Sequence, residues 1–368
     1  MNTAFIAREV FTGQELLTGV AILVKDKKVV GFVPESEIPM GYLPKKLSDY
    51  MLAPAFIDLQ IYGGNGKLFS NELTTDALEA TYEYCLQGGC TRFMITMATN
   101  SIEKFISGID VVKKYWDIGG KGLLGLHLEG PYINPVKKGA HIEKFIKKPT
   151  IQEINMLLKK GKGVIKMITL APEQCDKNII ELLLQHNILV SAGHSNASYE
   201  NAINGFFMGI PAATHLFNAM SAFQGREPGM VGAIYDHPDV MSSLVCDGIH
   251  VAFASVRISK KIMNNRLFFI TDAVAETTHG EYQHIFKGDR YVLPNGTLSG
   301  SALTMLQSVK NGVEEVGIPL PEALRMASLY PALLLKNNKW GTIQPGSEAH
   351  FVAIDDQLKL QQVIVDGE

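Results

Sequence analysis

Residues Pro54–Gly64 read "PAFIDLQIYGG", a short apolar run that ends on Gln60 and Tyr62. Those two residues are two positions apart and so share one face of a strand. Seven further apolar runs of similar length follow: "RFMITM" (92–97), "LLGLHLE" (123–129), "VIKMITLA" (164–171), "ILVSAG" (188–193), "AATHLF" (212–217), "MSSLVCD" (241–247) and "LFFITDA" (267–273). Amphipathic segments separate the runs. In "TTDALEATYEYCLQGG" (74–89), Leu78, Tyr82 and Cys85 fall on one helical face and Gly88 or Gly89 can stop the helix. Apolar strand, helix, apolar strand is the rhythm of β-α units on a parallel sheet. Eight such units predict an α/β chain with a closed (β/α)8 barrel over residues 53–339, in preference to an open doubly wound sheet.

Outside that span the rhythm changes. "GVAILVKDKKVVGFV" (19–33) places two Val/Ile-rich runs around a charged connection, as a hairpin does, and "GTIQPGSEAHFVAIDDQLKLQQVIVDGE" (341–368) alternates apolar and polar residues between turn dipeptides. Residues 1–52 and 340–368 are therefore expected to form one small β-sandwich domain from both chain ends.

Composition narrows the function. With 368 residues, 46% of them hydrophobic, the chain can bury a large core. Its formal net charge of −3, without long runs of one sign, offers no basic surface for nucleic acid or a membrane. No apolar run approaches the ~18 residues that span a bilayer, and "MNTAFIAREV" lacks the pattern of a secretion signal. Cys85, Cys90, Cys175 and Cys246 make no C-x-x-C pair and no disulfide framework. A cytoplasmic protein with buried free thiols is the expectation.

Four of the predicted strands end at or near a residue able to bind a metal or move a proton: Glu129, His194, His215 and Asp272. In a barrel the C-terminal strand ends converge on one face, so residues far apart in sequence can meet there. One Glu and two His make a three-ligand set of the kind a catalytic zinc uses, with a fourth position left for water. Asp272 is then suited to take a proton from that water and return it to a leaving group. Each residue has a plainer reading alone: a strand-end His as a hydrogen-bonded loop residue, Asp272 as a helix cap. His127 shares a face with Glu129 one layer deeper and reads as a packed histidine. "GAH" ending in His141, "DGIH" from Asp247 to His250, and "FNAMSAFQGREPG" with Arg226 set polar groups beside small residues. Arg226, His250 and the Asn218 amide together suit a phosphate.

Taken in order, "PAFIDLQIYGG", "LGLHLEGPYINPVKKGAH", "SAGHS", "THLFNAMSAFQGREPGMVGA", "DGIH", "TDA" and "GTLSGSALTM", through to "GTIQPGSEAHFVAID", resemble the N-acetylglucosamine-6-phosphate deacetylases of the amidohydrolase superfamily. That resemblance implies a metal held by Glu129, His194 and His215, with Asp272 as base and then acid. His141 would polarise the acetyl carbonyl. Ala140, His141, Asn218, Ala219, Arg226, Asp247, His250, Leu298, Ser299 and Gly300 would hold the phosphorylated amino sugar, Arg226 and His250 reaching the neighbouring subunit's site in a homodimer. The sequence departs from many superfamily members where Gln60 and Tyr62 stand in place of two histidines that hold a second metal. One divalent ion per subunit is expected, zinc first, with iron, cobalt or manganese as alternatives. Two other functions fit the same residues less well: a mononuclear amidohydrolase acting on a different N-acyl or cyclic amide, and a sugar-phosphate sensor without catalysis.

Overall fold

The computed structural model describes residues 2–368, which divide into two compact units: one from the chain up to Asp58 with Cys85–Arg92 and Thr304–Glu368, the other from Leu59–Tyr84 with Phe93–Leu303.

In the first unit seven strands make one continuous sheet. Its order runs Leu360–Ile364, Phe351–Ile354, Leu43–Pro54, Thr3–Phe11, Val20–Lys25, Lys28–Pro34, with Leu16–Leu17 paired to Thr3–Phe11. Chain start and chain end join where Phe351–Ile354 runs antiparallel to Leu43–Pro54 (Phe351↔Pro54, Ile354↔Met51). The expected hairpin is present. Val24↔Val29 and Lys25↔Lys28 close it over Asp26 and Lys27, both at positive φ. Period-two alternation sends Phe5 into one cluster, with Ile22, Leu52, Phe351 and Ile364, and Ala4 and Ile6 into another with Ala21 and Leu23. Residues 304–339, expected with the barrel, group here with the chain ends. Arg325 explains much of this: it donates to the carbonyls of Gly13 and Gln14 (2.8 Å each) and lies over the Phe11 ring at 5.3 Å.

The eight predicted barrel strands all form, run parallel and neighbour one another in chain order: Phe56–Ile61, Cys90–Ala98, Leu123–Glu129, Ile165–Leu170, Leu189–Ala192, Ala212–Ala213, Met241–Leu244 and Leu267–Phe269. The chain after the eighth strand then meets the first. Asp272 N–H donates to Gln60 O and Tyr62 N–H to Ala273 O, both at 2.9 Å, which nearly closes the barrel. Phe56–Ile61 is buried at every position, Asp58 and Gln60 included, because a parallel sheet is covered on both faces. Between strands, helix Ile102–Asp117 shows the local logic: Ser101 Oγ caps Lys104 N–H, and Ile102, Phe105, Ile109 and Val112 turn one apolar stripe inward. Helix Thr75–Gln87 buries Leu78, Tyr82 and Cys85 as its spacing predicts.

Candidate active site

Where the barrel strands end, the backbone turns sharply and presents the candidate side chains. His194, His215 and Asp272 follow their strands in the left-handed conformation (φ 48°, 40° and 54°), as does Ala219 (φ 51°). Such non-glycine conformations cost on the order of 1–3 kcal/mol each and persist only where neighbours hold them. Here His215 N–H donates to Ser243 Oγ (2.8 Å), Asn134 N–H to His194 O (2.9 Å) and Ser301 N–H to Asp272 O (2.9 Å).

Glu129, buried at the end of the third barrel strand, is the hub. Its Oε1 lies 2.9 Å from His215 Nε2 and 3.3 Å from His194 Nε2, and those two nitrogens are 3.1 Å apart. Its Oε2 faces His141 Nε2 at 3.1 Å. Lys137 O, an acceptor only, lies 2.8 Å from His194 Nδ1, so Nδ1 carries the hydrogen and Nε2 presents a lone pair. A lone pair thus points at a carboxylate oxygen, with a second imidazole nitrogen alongside; one proton on His215 cannot serve both. Cation binding resolves the convergence. The edge of a tetrahedron with bonds of ~2.0–2.1 Å to nitrogen and oxygen is about 3.3 Å, close to these separations. The donor set therefore fits a divalent metal. His141 with Glu129 and His194 likewise places three potential ligand atoms within 4.8 Å. Burial works against charge on Glu129, yet His194 and His141 hold its carboxyl well below the usual carboxylate range.

Gln60 and Tyr62 join this hub from the first barrel strand. Gln60 Nε2 reaches Glu129 Oε1 (3.0 Å), Asp272 Oδ1 (2.7 Å) and the Tyr62 hydroxyl (3.0 Å), and the Tyr62 O–H donates to Glu129 Oε2. Burial, followed by the Glu129 charge, raises the Tyr62 phenol well above 10, so it remains a donor. Burial also raises the Asp272 carboxyl, against the pull of His215. His127 is the packed residue its position predicts, 2.8 Å from Thr169 Oγ1 and lowered by burial to about 4.

A cleft opens over the cluster. Thirteen residues singled out in the sequence line it together: Tyr62, Glu129, Ala140, His141, His194, His215, Asn218, Ala219, His250, Asp272, Leu298, Ser299 and Gly300. Gly300 (φ +97°) brings this wall against the barrel, since a Cβ there would lie 2.5 Å from Val274 Cγ1. Two residues stand apart. Asp247 is outside the lining, its carboxylate occupied by His250 Nδ1 (2.5 Å) and by the N–H groups of Ile249 and His250 (2.8 and 2.7 Å). It aims the imidazole. His250, expected at a neighbouring subunit's site, lines the cleft of its own chain, and Arg226 is exposed away from that lining.

A model of the amidohydrolase family matches residues 51–368. The chain belongs to the amidohydrolase family. This amidohydrolase is 34% identical to the N-acetylglucosamine-6-phosphate deacetylase of Haemophilus influenzae, over 100% of this chain and 99% of that one. It is 30% identical to an N-acetylgalactosamine-6-phosphate deacetylase of a Shewanella species, over 100% and 96% respectively. The solved structure of N-acetylglucosamine-6-phosphate deacetylase from Pasteurella multocida superposes with a TM-score of 0.96 at 33% identity, covering 100% of this chain and 99% of that one.

Three polar residues at or directly behind this amidohydrolase's cleft are not among those singled out in the sequence: Thr99, buried behind it, and Tyr282 and His284 in its lining. Thr99 follows the second barrel strand and touches His141; Tyr282 and His284 come from the segment before Ile285–Phe286 and line the cleft. The strand-end rule that exposed Glu129 applies equally to "TMATN", so Thr99 was within reach of it. Tyr282 and His284 carry no local pattern. Their loop is brought over the site by Tyr282 O–H donating to Thr99 O at 2.7 Å.

Proposed function

We propose that this chain hydrolyses the acetamide of N-acetylglucosamine 6-phosphate, releasing acetate and glucosamine 6-phosphate. The observation that carries the reading is the convergence, in one cleft, of the Glu129–His194–His215 acceptors with Asp272 and His141. Glu129, His194 and His215 would hold one divalent ion per chain, zinc first. When bound, that ion supplies Lewis acidity and lowers the pKa of water to about 7.

The protein's own groups supply the rest. His141, beside Glu129 Oε2, donates a hydrogen bond to the acetyl oxygen as charge builds there. Asp272, oriented by Gln60 Nε2, accepts a proton from the attacking water. Its raised affinity for that proton, a product of burial, suits the return step. The proton passes to the sugar nitrogen, the C–N bond breaks, and acetate and the free amine leave. Asn218 and His250, across the cleft, bind the phosphate, with Asp247 holding the His250 ring. Ser299 and His284, 2.9 Å apart, present polar groups to the sugar. Arg226 of a second copy would complete the phosphate site in a homodimer.

Gln60 and Tyr62 support the single-ion reading. Their donors occupy the oxygens of Glu129 and Asp272 that a second cation would need. Among the described residues no helix is long and apolar enough to cross a membrane, and we place the enzyme in the cytoplasm.

A second reading is the C4 epimer, N-acetylgalactosamine 6-phosphate, since relatives at 30% and 29% identity carry that name. Acetate release measured on both epimers, with metal content determined on the same sample, tests the proposal. Faster turnover of the galactosamine epimer would replace the substrate. No turnover of either, with metal bound, would remove the deacetylase reading.

A further inference from the structure

Two histidines flank Glu129 with opposite hydrogen-bonding partners, and that difference assigns them different work. His194 Nδ1 meets a carbonyl, an obligate acceptor. His141 Nδ1 meets the Thr99 backbone N–H at 3.3 Å, an obligate donor, and the Thr99 hydroxyl at 2.7 Å, nearer than that hydroxyl's other acceptor, Glu129 O at 3.3 Å. A neutral imidazole that accepts at Nδ1 carries its hydrogen on Nε2. We propose that Thr99 is a positioning residue that fixes the Nε2–H tautomer of His141, making it a hydrogen-bond donor to the reacting carbonyl oxygen instead of a third imidazole ligand for the metal. The proposal deepens the deacetylase reading and rests on it for the identity of the carbonyl.

Three further features fit this assignment. His141 Nε2 faces Glu129 Oε2 at 3.1 Å, an acceptor for the N–H the tautomer places there. Thr99 is fully buried, and its close approach depends on Gly130 (φ +87°): a Cβ at residue 130 would lie 2.2 Å from Thr99 Oγ1. The Thr99 peptide is held from above as well. Tyr282 donates to Thr99 O (2.7 Å) and accepts from the N–H of Ile142 (3.4 Å), so one phenol ties Thr99 to the residue after His141. The amide and the hydroxyl meet Nδ1, and the phenol holds the Thr99 peptide that carries them.

The test reads the tautomer directly. Nitrogen-15 NMR of the zinc-loaded protein with labelled histidine, the His141 signals identified by their loss in His141→Asn, is expected to show His141 with Nε2 protonated and Nδ1 bare, and His194 with the reverse. Thr99→Val keeps the shape and the long 3.3 Å contact of the backbone N–H but removes the hydroxyl, the nearer partner of Nδ1 at 2.7 Å; kcat is expected to fall about tenfold with KM little changed. The His141 signals should move toward a tautomer mixture, and Thr99→Ser should restore both. A wild-type His141 protonated on Nδ1 overturns the proposal without a variant, as does a Val variant with unchanged kcat and signals. If Thr99→Val does not fold, the wild-type tautomer and the Ser variant still decide. A protein with the proposed tautomer but no deacetylase activity would leave the Thr99 assignment standing and remove the substrate reading instead.

Discussion

Tyr62→Phe isolates one hydrogen bond at the centre of the site. The phenol donates to Glu129 Oε2, and burial together with the Glu129 charge keeps it protonated at every pH near neutrality. Phenylalanine fills the same space without the hydroxyl, and Gln60 Nε2 keeps its contacts with Glu129 (3.0 Å) and Asp272 (2.7 Å). A hydrogen bond to a buried charge is worth about 1.5–3 kcal/mol. At about 1.4 kcal/mol per factor of ten, metal affinity should fall roughly 10–100-fold, the range typical of lost outer partners of a metal ligand. Competition against a chromogenic chelator measures this directly, and a urea midpoint close to wild type confirms that the fold is kept. With metal at saturation most of the turnover should return. A metal Kd within about threefold of wild type would refute the reasoning, because Glu129 would then need no help from Tyr62 to serve as a ligand.

Asp272→Asn should lower kcat by about 10²–10⁴-fold while calorimetry still detects sugar-phosphate binding, since the amide keeps the shape and loses the proton acceptor. Arg226→Ala should raise KM for the phosphorylated sugar by roughly 10–100-fold and leave unphosphorylated N-acetylglucosamine almost unaffected; equal effects on both would exclude a phosphate role. His350, in the unit of the chain ends, is lowered to about 4 by burial and then by the Arg92 cation. Its folded pKa lies below the unfolded value of ~6.5, so between those values the unfolded chain binds more protons and stability falls as pH drops. By pH 5 this one group costs up to about 2 kcal/mol, and His350→Gln should lose less stability than wild type between pH 7 and pH 5 in urea titrations.

The barrel was legible because strand rhythm is local. Each apolar run is buried on both faces of a parallel sheet, so the burial requirement is written into four to eight consecutive residues without reference to the rest of the chain. Glu129, His194, His215 and Asp272 were legible for a related reason: in a closed barrel, a position at the end of a strand is also a position at the mouth. The unit boundary was less accessible. Helices after Leu303 look like barrel helices locally, and their packing shows in contacts distant in sequence, such as Arg325 reaching the Gly13 and Gln14 carbonyls more than three hundred positions away.

Residue identity and spacing by themselves determined the eight strands, the strand ends that carry Glu129, His194, His215 and Asp272, and the absence of a histidine pair at Gln60 and Tyr62. The tertiary structure decided what each polar atom does. It placed the Gln60 amide between Glu129 and Asp272, turned Asp247 into a holder for His250, left Arg226 outside its own cleft, and set opposite partners on the Nδ1 atoms of His194 and His141. A donor or acceptor role depends on which group stands within about 3 Å, and here that group comes from residues 42, 57 or 212 positions away. Periodicity records burial, which each strand carries in its own residues, whereas hydrogen-bond direction exists only once distant loops have met.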